Sequence, residues 1–375
     1  MHLFDTSCSY GKLYLTSATT LERILGGRNM AKRALVTGVT GQDGAYLVKM
    51  LLDRNYEVFG TYRRVSTPNF WRLQFLDVLE KINLIPVDLT DTTSIIEALQ
   101  VSNPDEVYNL AAQSFVEASF EQPVATADIS GVGVTRLLEA VRQTKRDARV
   151  YQASSSEMFG LSGATPKPID EQVAFRPASP YAAAKLYGHW ITKIYAEAYG
   201  IFACSGLLFN HESPIRGLDF VTRKISNAVA KISLGLDSEL RLGKLDAKRD
   251  WGYAPEYVES MWMMLQQDRP ETYVVATGEH HSVREFASRA FGIVGLDWKN
   301  FVQTDKRFFR PLDVECLVGD PSKIRQELGW KPRISFEKLV EIMVKEDVSR
   351  WKRWLAGERF AWDAPNHPSE ALIVT

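Results

Sequence analysis

Gly38-Val-Thr-Gly41-Gln-Asp-Gly44 stands between two patterns that together indicate how the chain folds. An apolar run ends at Thr37 before it, and a helical pattern of apolar residues follows it. In this context the first glycine allows a tight turn, the second lets the backbone approach a pyrophosphate, and the third permits close packing of helix on strand. We predict that the turn binds a dinucleotide through Gly38, Gly41, Gln42, Asp43 and Gly44. The alternative is an ordinary glycine-rich turn.

Outward from this turn, short apolar or β-branched runs alternate with helical patterns. We predict strands at 33–37, 57–62, 82–87, 106–110 and 148–153, and helices at about 42–54, 92–101 and 131–145. Strands that alternate with helices form crossover units and a parallel sheet. The predicted fold class is therefore α/β, with a Rossmann-type doubly wound parallel sheet and a smaller C-terminal substrate-binding lobe. The ligand crevice should lie at the carboxyl ends of the strands.

The pattern loosens after about residue 210 into short helices between stretches rich in glycine, proline and charge. We expect a dinucleotide-binding domain that also carries the catalytic residues at 30–209. A mainly substrate-binding lobe should follow at 210–360, interleaved with the first domain or separate from it. Residues 361–375 form a tail. An extension of unknown role, residues 1–29, precedes Met30, which resembles a natural start.

The composition excludes several classes of protein. The 45 basic and 46 acidic residues leave a formal net charge of −1, so no global field would hold a nucleic acid or a membrane surface. Cys8, Cys204 and Cys316 are scattered and lack the spacing of a disulfide framework or a zinc site. Residues 1–29 lack the apolar core of a signal peptide, and no run reaches the roughly 18 apolar residues of a membrane span. We expect a cytoplasmic protein without a metal ion.

The end of the second predicted strand indicates which dinucleotide is bound. An enzyme that uses NAD would place an acidic residue there for the ribose hydroxyl, whereas this sequence has Arg63-Arg64. Two cations suit a 2′-phosphate, so we predict NADP as the cofactor. The alternative is a solvated pair of arginines. Asp88 and Leu89 follow the third predicted strand, where the adenine would lie.

Tyr181-Ala-Ala-Ala-Lys185 is the second chemical signal. Ser179-Pro180 introduces a helix, on which this spacing puts the phenol and the ammonium on one face. A lysine ammonium beside a phenol favours the phenolate, so Tyr181 is a candidate base for a substrate hydroxyl whose carbon loses hydride. The spacing alone occurs by chance in many sequences. Its position about 140 residues after a nucleotide-binding turn favours a catalytic role over a structural one.

Ser154-Ser155-Ser156-Glu157 ends the fifth predicted strand and would point into the crevice. With the preceding motifs, this run makes the chain resemble the extended short-chain dehydrogenase/reductase superfamily. In that superfamily, sugar-nucleotide 4,6-dehydratases carry a glutamate here, because removal of a proton from C5 needs a base beyond the tyrosine. Epimerases and reductases typically lack it. The alternatives are a solvated carboxylate, a reductase or epimerase on the same scaffold, and a catalytically silent NADP-binding module.

Longer motifs narrow the resemblance to the GDP-mannose 4,6-dehydratases, from about Met30 to Asp347. These motifs are Tyr108 to Ser114, Leu208 to Pro214, Gly217 to Lys224, Leu242 to Trp251, Val274 to Glu279, Phe309 to Pro311 and Gly319 to Ser322. The resemblance implies that GDP-mannose is converted to GDP-4-dehydro-6-deoxy-mannose and water by internal hydride transfer through NADP. It implies the catalytic set Ser155, Glu157, Tyr181 and Lys185. Ser156 stands where dTDP-glucose dehydratases usually carry an acid.

The resemblance also implies ligand contacts and an assembly. Cofactor contacts beyond those above are Leu110, Ala112, Ser114, Tyr181, Lys185, His211 and Arg216. Contacts with the GDP-sugar are Ser114, Glu157, Asn210, Lys224, Arg249, Arg310 and Asp313. Arginines fork onto diphosphate oxygens, and a carboxylate can accept from the N1 and N2 hydrogens of guanine. Members of the family form homodimers or homotetramers through helices that include the one carrying Tyr181.

Five positions depart from the family pattern. Ser155 replaces the usual threonine, which keeps the hydroxyl and loses a methyl group. Phe115 stands where histidine is frequent, Lys244 where asparagine is common, and Asp313 with Glu315 where the family has glutamate and aspartate. The changes at 244 and 313 fall in the expected nucleotide pocket. All five leave the predicted chemistry intact.

Overall fold

The computed structural model describes residues 31–67, 69–164, 167–309, 312 and 314–367. The extension at 1–29, the candidate substrate residues Arg310 and Asp313, and the end of the tail from residue 368 lie outside the described residues. The described residues from Lys32 onward belong to one compact unit. The boundary near residue 210 stays a prediction.

Strands and helices alternate over the first half of the chain. The strands are β1 Arg33–Thr37, β2 Glu57–Tyr62, β3 Asn83–Pro86, β4 Glu106–Asn109, β5 Arg149–Ser155, β6 Ala203–Leu208, β7 Asn210–Glu212, β8 Leu240–Leu242, β9 Lys248–Arg249, β10 Trp251–Tyr253, β11 Tyr273–Val275, β12 His281–Ser282, β13 Val302–Thr304 and β14 Cys316–Leu317. The helices are α1 Gln42–Asp53, α2 Trp71–Phe75, α3 Thr92–Ser102, α4 Ala118–Glu121, α5 Pro123–Ala127, α6 Gly133–Thr144, α7 Pro180–Tyr199, α8 Val221–Ser233, α9 Ala254–Leu265, α10 Val283–Ile293, α11 Ser322–Leu328 and α12 Phe336–Leu355. Short 3₁₀ turns occupy Leu79–Lys81, Ser156–Met158, Gly160–Ala164, Trp298–Asn300, Lys306–Phe308 and Ala364–Asn366, and a π turn occupies Asp128–Val132.

The described residues form a seven-stranded sheet in the order β11-β6-β5-β4-β1-β2-β3. Every neighbouring pair in it is parallel. The strand order reverses next to β1, which is the switch point where doubly wound sheets bind ligands. The predicted Rossmann-type fold is therefore confirmed, and the glycine-rich turn lies at the expected end of β1.

Helices cover both faces of the sheet because successive strand residues point to opposite sides. Ala34 and Val36 of β1 pack with α1 and α9, whereas Leu35 packs with α3 and α6 on the other face. Both sets are fully buried. This explains why the strands appear in the sequence as continuous apolar runs, without the alternation of a sheet that has one solvated face.

One predicted helix begins earlier than its apolar pattern indicates. The sequence predicts a helix at 131–145, whereas the chain is helical from Pro123, through α5 and the π turn, before α6 begins. Proline favours the first helical position because its fixed φ is already helical and its missing N–H is not needed there. Val124 is exposed, so the apolar periodicity at the start of this run is weak.

Much of the second half of the chain builds a smaller lobe with its own core, whereas β11 joins the main sheet and α9 covers it. Short strands pair there as β7 with β10, β8 with β13, and β9 with both β12 and β14. Helices α8, α10 and α12 bury an apolar cluster against them, with Val229, Phe286 and Met343 fully enclosed. Within the described ranges, no helix is long and apolar enough to cross a membrane. The same ranges hold no group of three or more His, Cys, Asp or Glu side chains that could bind a metal ion.

Candidate active site

A cavity of about 1150 Å³ opens at the carboxyl ends of the sheet strands. It extends from the start of α1 to the lobe that contains α8. The predicted site residues that line it are Asp43, Leu110, Ala112, Ser114, Ser155, Glu157, Tyr181, Lys185, Asn210, His211, Arg216, Lys224 and Arg249. Phe115 and Lys244, which depart from the family pattern, line it as well. The fold thus gathers residues from widely separated motifs around one space.

The glycine-rich turn is too tight for side chains at two of its three glycines. Gly38 has a φ of +71°, and a Cβ there would lie 2.9 Å from Ala111 Cα. A Cβ on Gly44 would lie 2.4 Å from Gly38 O. Gly41 is the N-cap of α1, and no side chain caps the helix. An uncapped helix N-terminus beside a cavity offers N–H groups to a phosphate.

The start of α1 is joined to β7 by buried side chains. His211 Nε2 lies 2.9 Å from Asp43 Oδ2, and Gln42 Nε2 donates to His211 O over 3.1 Å. Ser213 donates its hydroxyl to Gln42 Oε1 over 2.7 Å. Burial opposes both charges of the Asp43–His211 pair. Their mutual attraction nevertheless lowers the pKa of Asp43 to about 2 and raises the pKa of His211.

Tyr181 and Lys185 share one face of α7, as their spacing predicts. Ser179 accepts the N–H of Ala182 and Pro180 occupies the first helical position, which fixes where the helix begins. Both side chains are buried at the cavity wall. Lys185 Nζ lies 5.8 Å from the centre of the Tyr181 ring and donates to Ala153 O over 2.8 Å. The carbonyl of β5 therefore holds the ammonium beside the phenol.

Ser155 and Glu157 line the same cavity from the end of β5. Ser155 caps the 3₁₀ turn Ser156–Met158, because its hydroxyl accepts the N–H of Glu157 over 3.2 Å. The Glu157 side chain is buried and lines the cavity. Burial raises the pKa of Tyr181 to about 12, with the Ser155 hydrogen bond lowering it and the Glu157 charge raising it. Burial lowers the pKa of Lys185 to about 8, so its ammonium form prevails at neutral pH.

The substrate side of the cavity carries one acceptor that lacks a donor. Asn210 Oδ1 is buried and has no hydrogen-bond partner among the described residues. Lys224 Nζ lies 3.6 Å from the centre of the Phe308 ring, and Arg249 donates from Nη1 to Lys248 O over 2.8 Å. The Arg216 guanidinium lies 3.5 Å from the centre of the Phe220 ring. The predicted cations Arg216, Lys224 and Arg249 thus line the cavity together with a buried amide oxygen that lacks a donor.

Several predicted cofactor residues lie outside the cavity wall. Arg63 and Arg64 are exposed beyond β2, and neither pairs with another described residue. Asp88 accepts the N–H and hydroxyl of Thr90, and Leu89 is buried between sheet and helices. Their predicted contacts with a 2′-phosphate and an adenine stay predictions.

Some lining groups have no counterpart in the sequence-based prediction. Phe220 and Phe308 lie in or beside quoted motifs, yet their role as ring platforms under Arg216 and Lys224 was missed. Ala153 contributes only a backbone carbonyl oxygen. Every residue has one, so the residue type does not predict this contact. In the sequence, Phe220 lies four positions after Arg216, and this spacing of an aromatic residue from a cation is the signal that could have predicted their contact.

A Rossmann-type sheet with a glycine-rich turn after β1, and with Tyr181 and Lys185 on one helix face at its carboxyl edge, defines the extended short-chain dehydrogenase/reductase class. The family model described as "GDP-mannose 4,6 dehydratase" matches residues 35–343. The chain belongs to this family.

Relatives in distant organisms cover almost the same span. GDP-mannose 4,6 dehydratase 1 of Arabidopsis thaliana is 53% identical over 334 residues, which are 86% of this chain and 91% of that protein. GDP-mannose 4,6-dehydratase of Vibrio cholerae is 45% identical over 370 residues, or 90% and 99% of the two chains. The structure of UDP-glucose 4-epimerase of Thermus thermophilus, a complex with NAD, is 28% identical with a TM-score of 0.73 and covers 84% of this chain and 98% of that one.

Proposed function

We propose that the protein is a hydro-lyase that converts GDP-α-D-mannose into GDP-4-dehydro-6-deoxy-D-mannose and water. The relatives' names support the substrate. The observation that carries the reaction type is Glu157, a buried carboxylate that lines the same cavity as Tyr181 and Lys185. A reductase or a 4-epimerase has no need of a second base there, because neither reaction removes a proton from C5.

The residues present fit NADP as the cofactor. The glycine turn leaves no room for side chains at Gly38 and Gly44, and α1 begins without a side-chain cap. Arg63 and Arg64 stand unpaired among the described residues at the end of β2, the strand end that faces a ribose in this fold. When bound, NADP would supply the hydride acceptor for the oxidation at C4 and the hydride donor for the reduction at C6, so no external reductant is consumed.

Tyr181 is the group we assign to the first step. It removes the proton of the C4 hydroxyl as that carbon is oxidised to a ketone. Burial opposes the phenolate in the protein without ligands and raises the pKa of Tyr181 to about 12. The Ser155 hydrogen bond and the Arg216 charge lower this pKa, and we assign the Lys185 ammonium the same effect by its charge.

Glu157 is the group we assign to the second step. The new ketone at C4 acidifies C5, and Glu157 removes the C5 proton. Glu157 then donates this proton to the C6 hydroxyl, which leaves as water. Reduction at C6 then restores a saturated carbon. The proton that left O4 balances the one the sugar regains at C5, so the reaction consumes no net proton.

The smaller lobe, residues 210–360, is where we place the GDP-sugar. Lys224 and Arg249 are cations on the lobe side of the cavity, suited to the diphosphate, and Asn210 Oδ1 is an acceptor without a donor. Arg310 and Asp313, which lie outside the described residues, are the remaining members of this proposed set, with Asp313 proposed as an acceptor for guanine. A cytoplasmic location, which the scattered cysteines favour, belongs to the same proposal.

The direct test is incubation with GDP-mannose and catalytic NADP, without added reductant, followed by mass analysis. A dehydratase yields a product lighter by one water molecule. An epimerase yields a product of unchanged mass. In a separate incubation with NADPH and a ketosugar added, a reductase consumes the NADPH. Either of these results, or an absence of turnover, would contradict the proposed reaction.

Arg63 and Arg64 are expected to set cofactor choice. Each charge-assisted contact with the 2′-phosphate is worth about 1.5–3 kcal/mol, so replacing both with alanine should weaken NADP binding at least tenfold and spare NAD. Calorimetric titration with both cofactors measures the difference. Equal weakening of NADP and NAD would refute the assignment.

We also propose that the protein forms homodimers or homotetramers. Trp190 and Ile194 of α7 expose 47% and 50% of their surface, and Tyr187 on the same helix face exposes 45%. Leu186, by contrast, packs into the core of the protomer. An apolar stripe on the surface of a long helix suits a symmetric helix pair.

Light scattering at micromolar concentration is expected to show a dimer or a tetramer. Trp190→Glu should shift the mass towards the monomer, because it places a charge in the stripe. Leu355→Glu is the matched control, since Leu355 is 49% exposed on α12, away from α7. A parental protein that is monomeric would reject the proposal.

A further inference from the structure

Three consecutive backbone carbonyls, in the segment 214–216, each accept a hydrogen bond from a different arginine. This segment leads from β7 towards α8, and its last side chain, Arg216, lines the cavity. The bonds run from Arg350 Nη1 to Pro214 O over 2.5 Å, from Arg72 Nε to Ile215 O over 2.7 Å, and from Arg223 Nη1 to Arg216 O over 2.9 Å. We call Arg72, Arg223 and Arg350 the arginine clamp.

Two members of the clamp are anchored inside the protein. Arg223 and Arg350 are fully buried, and Arg223 Nε donates to both oxygens of Asp347 over 3.0 and 2.9 Å. Ser226 donates to the same carboxylate over 2.6 Å. Removing either arginine would leave a buried carboxylate short of its countercharge, which destabilises a fold whatever the role of the clamp. Substitution of Arg223 or Arg350 would therefore not distinguish a role in holding the segment 214–216 from a role in the stability of the whole fold.

Arg72 is the member that reaches a second part of the site. It lies on the short helix α2, a few residues after Arg63 and Arg64. Its Nη1 donates to Thr40 O over 3.0 Å, and Thr40 belongs to the glycine-rich turn. One planar guanidinium thus ties the turn that would hold a pyrophosphate to the segment that carries Arg216. A lysine has a single nitrogen and cannot reproduce this fork.

We propose that Arg72 is a positioning residue for cofactor binding, which holds the glycine-rich turn and the Arg216 segment in register across the cavity. The proposal rests on the cofactor assignment above. Arg72 itself is outside the cavity wall, so it acts through the backbone of Thr40 and Ile215. Without it the two segments would move independently, and binding would have to bear the cost of ordering them.

The test compares Arg72→Gln and Arg72→Lys with the parental full-length protein. Apparent affinity for NADP is measured by calorimetry on the cofactor-free protein, alongside kcat, both KM values and the midpoint of thermal unfolding. Both variants should bind NADP about tenfold more weakly, because binding must then order the glycine-rich turn and the Arg216 segment. The kcat at saturating NADP and the KM for GDP-mannose should change by no more than about twofold.

Arg149 provides the matched control. Its Nη1 donates to Leu265 O and Gln267 O, both over 2.7 Å, and its guanidinium lies 4.5 Å from the centre of the Phe202 ring. Arg72 has two similar carbonyl contacts and lies 4.6 Å from the centre of the Trp71 ring. Arg149 is the first residue of β5, at the amino end of the strand, whereas the cavity lies at the carboxyl ends. Arg149→Gln should lower the unfolding midpoint and leave NADP affinity unchanged.

The outcomes distinguish the inference from the proposed function. If the parental protein fails to bind NADP or to dehydrate GDP-mannose, the proposed function fails, whatever the variants do. If the parental protein is active and Arg72→Gln loses thermal stability without losing NADP affinity, Arg72 is merely structural and the inference is overturned. Should Arg72→Gln fail to fold, Arg72→Lys decides alone, since the milder change retains the charge.

Discussion

Glu157→Gln is expected to stop the reaction after oxidation at C4. The amide matches the carboxylate in size, so the buried turn Ser156–Met158 keeps its packing and its Ser155 cap. An amide has no useful basicity, and loss of a positioned base slows turnover by about 10² to 10⁴. Tyr181 and Lys185 are untouched. Single turnover followed by mass analysis should therefore show a nucleotide sugar lighter than GDP-mannose by two hydrogens, without the 6-deoxy product.

Glu121→Gln is the control for this variant. Glu121 also lines the cavity, but it is exposed on the short helix α4. Its loss should leave turnover close to the parental rate, because the net change in cavity charge is the same and the proposed C5 base, Glu157, is retained. If Glu157→Gln forms 6-deoxy product at the parental rate, the dehydratase assignment fails and the reductase or epimerase interpretation replaces it.

Tyr181→Phe is expected to stop the reaction before any oxidation. The variant removes one hydroxyl and keeps the ring that packs at the cavity wall. The C4 hydroxyl then keeps its proton, so the carbon cannot become a ketone, and turnover should again fall by about 10² to 10⁴. Mass analysis should recover only GDP-mannose, while calorimetry should still detect NADP binding.

Tyr187→Phe is the matched control on the same helix. Its hydroxyl contacts Thr135 at the surface and is remote from the cavity lining. The two active-site variants together order the steps, since one should accumulate the ketone and the other should not. A ketone formed by Tyr181→Phe at the parental rate would show that another group is the base at O4.

The sheet could be predicted closely because its signals are local. β1 and β2 lie where the apolar runs place them, since strands covered on both faces must be apolar throughout. The glycines could be assigned for the same reason: Gly38 needs a positive φ and Gly44 a missing Cβ, and both demands act within one turn.

The lobe could not be predicted in this way. Lys248–Arg249 pairs with His281–Ser282 on one side and with Cys316–Leu317 on the other. Strands of two residues have no periodicity, and their partners are tens of residues away in the chain. Such pairs form because the surrounding core holds them together, which is information that a window of sequence does not contain.

The site divides along the same line. Residue type and spacing were enough to predict the roles of Tyr181, Lys185 and Glu157 from the sequence. The acceptors that hold the site in shape are backbone oxygens of Thr40, Ala153 and Ile215. A carbonyl is present in every residue, so its use by Arg72 or Lys185 is visible only once the chain is folded.

The contact between Arg350 and the carbonyl of Pro214 spans 136 positions in the chain. During translation the segment 214–216 must therefore wait for α12, for several seconds to about half a minute at roughly 5–20 residues per second. Until then Arg223 lacks Asp347, its buried countercharge. A nascent chain can pair β1 to β6 early, yet the segment 214–216 gains its contact with Arg350 only after α12 has been synthesised. The same dependence makes α12 an unsuitable place for a truncation.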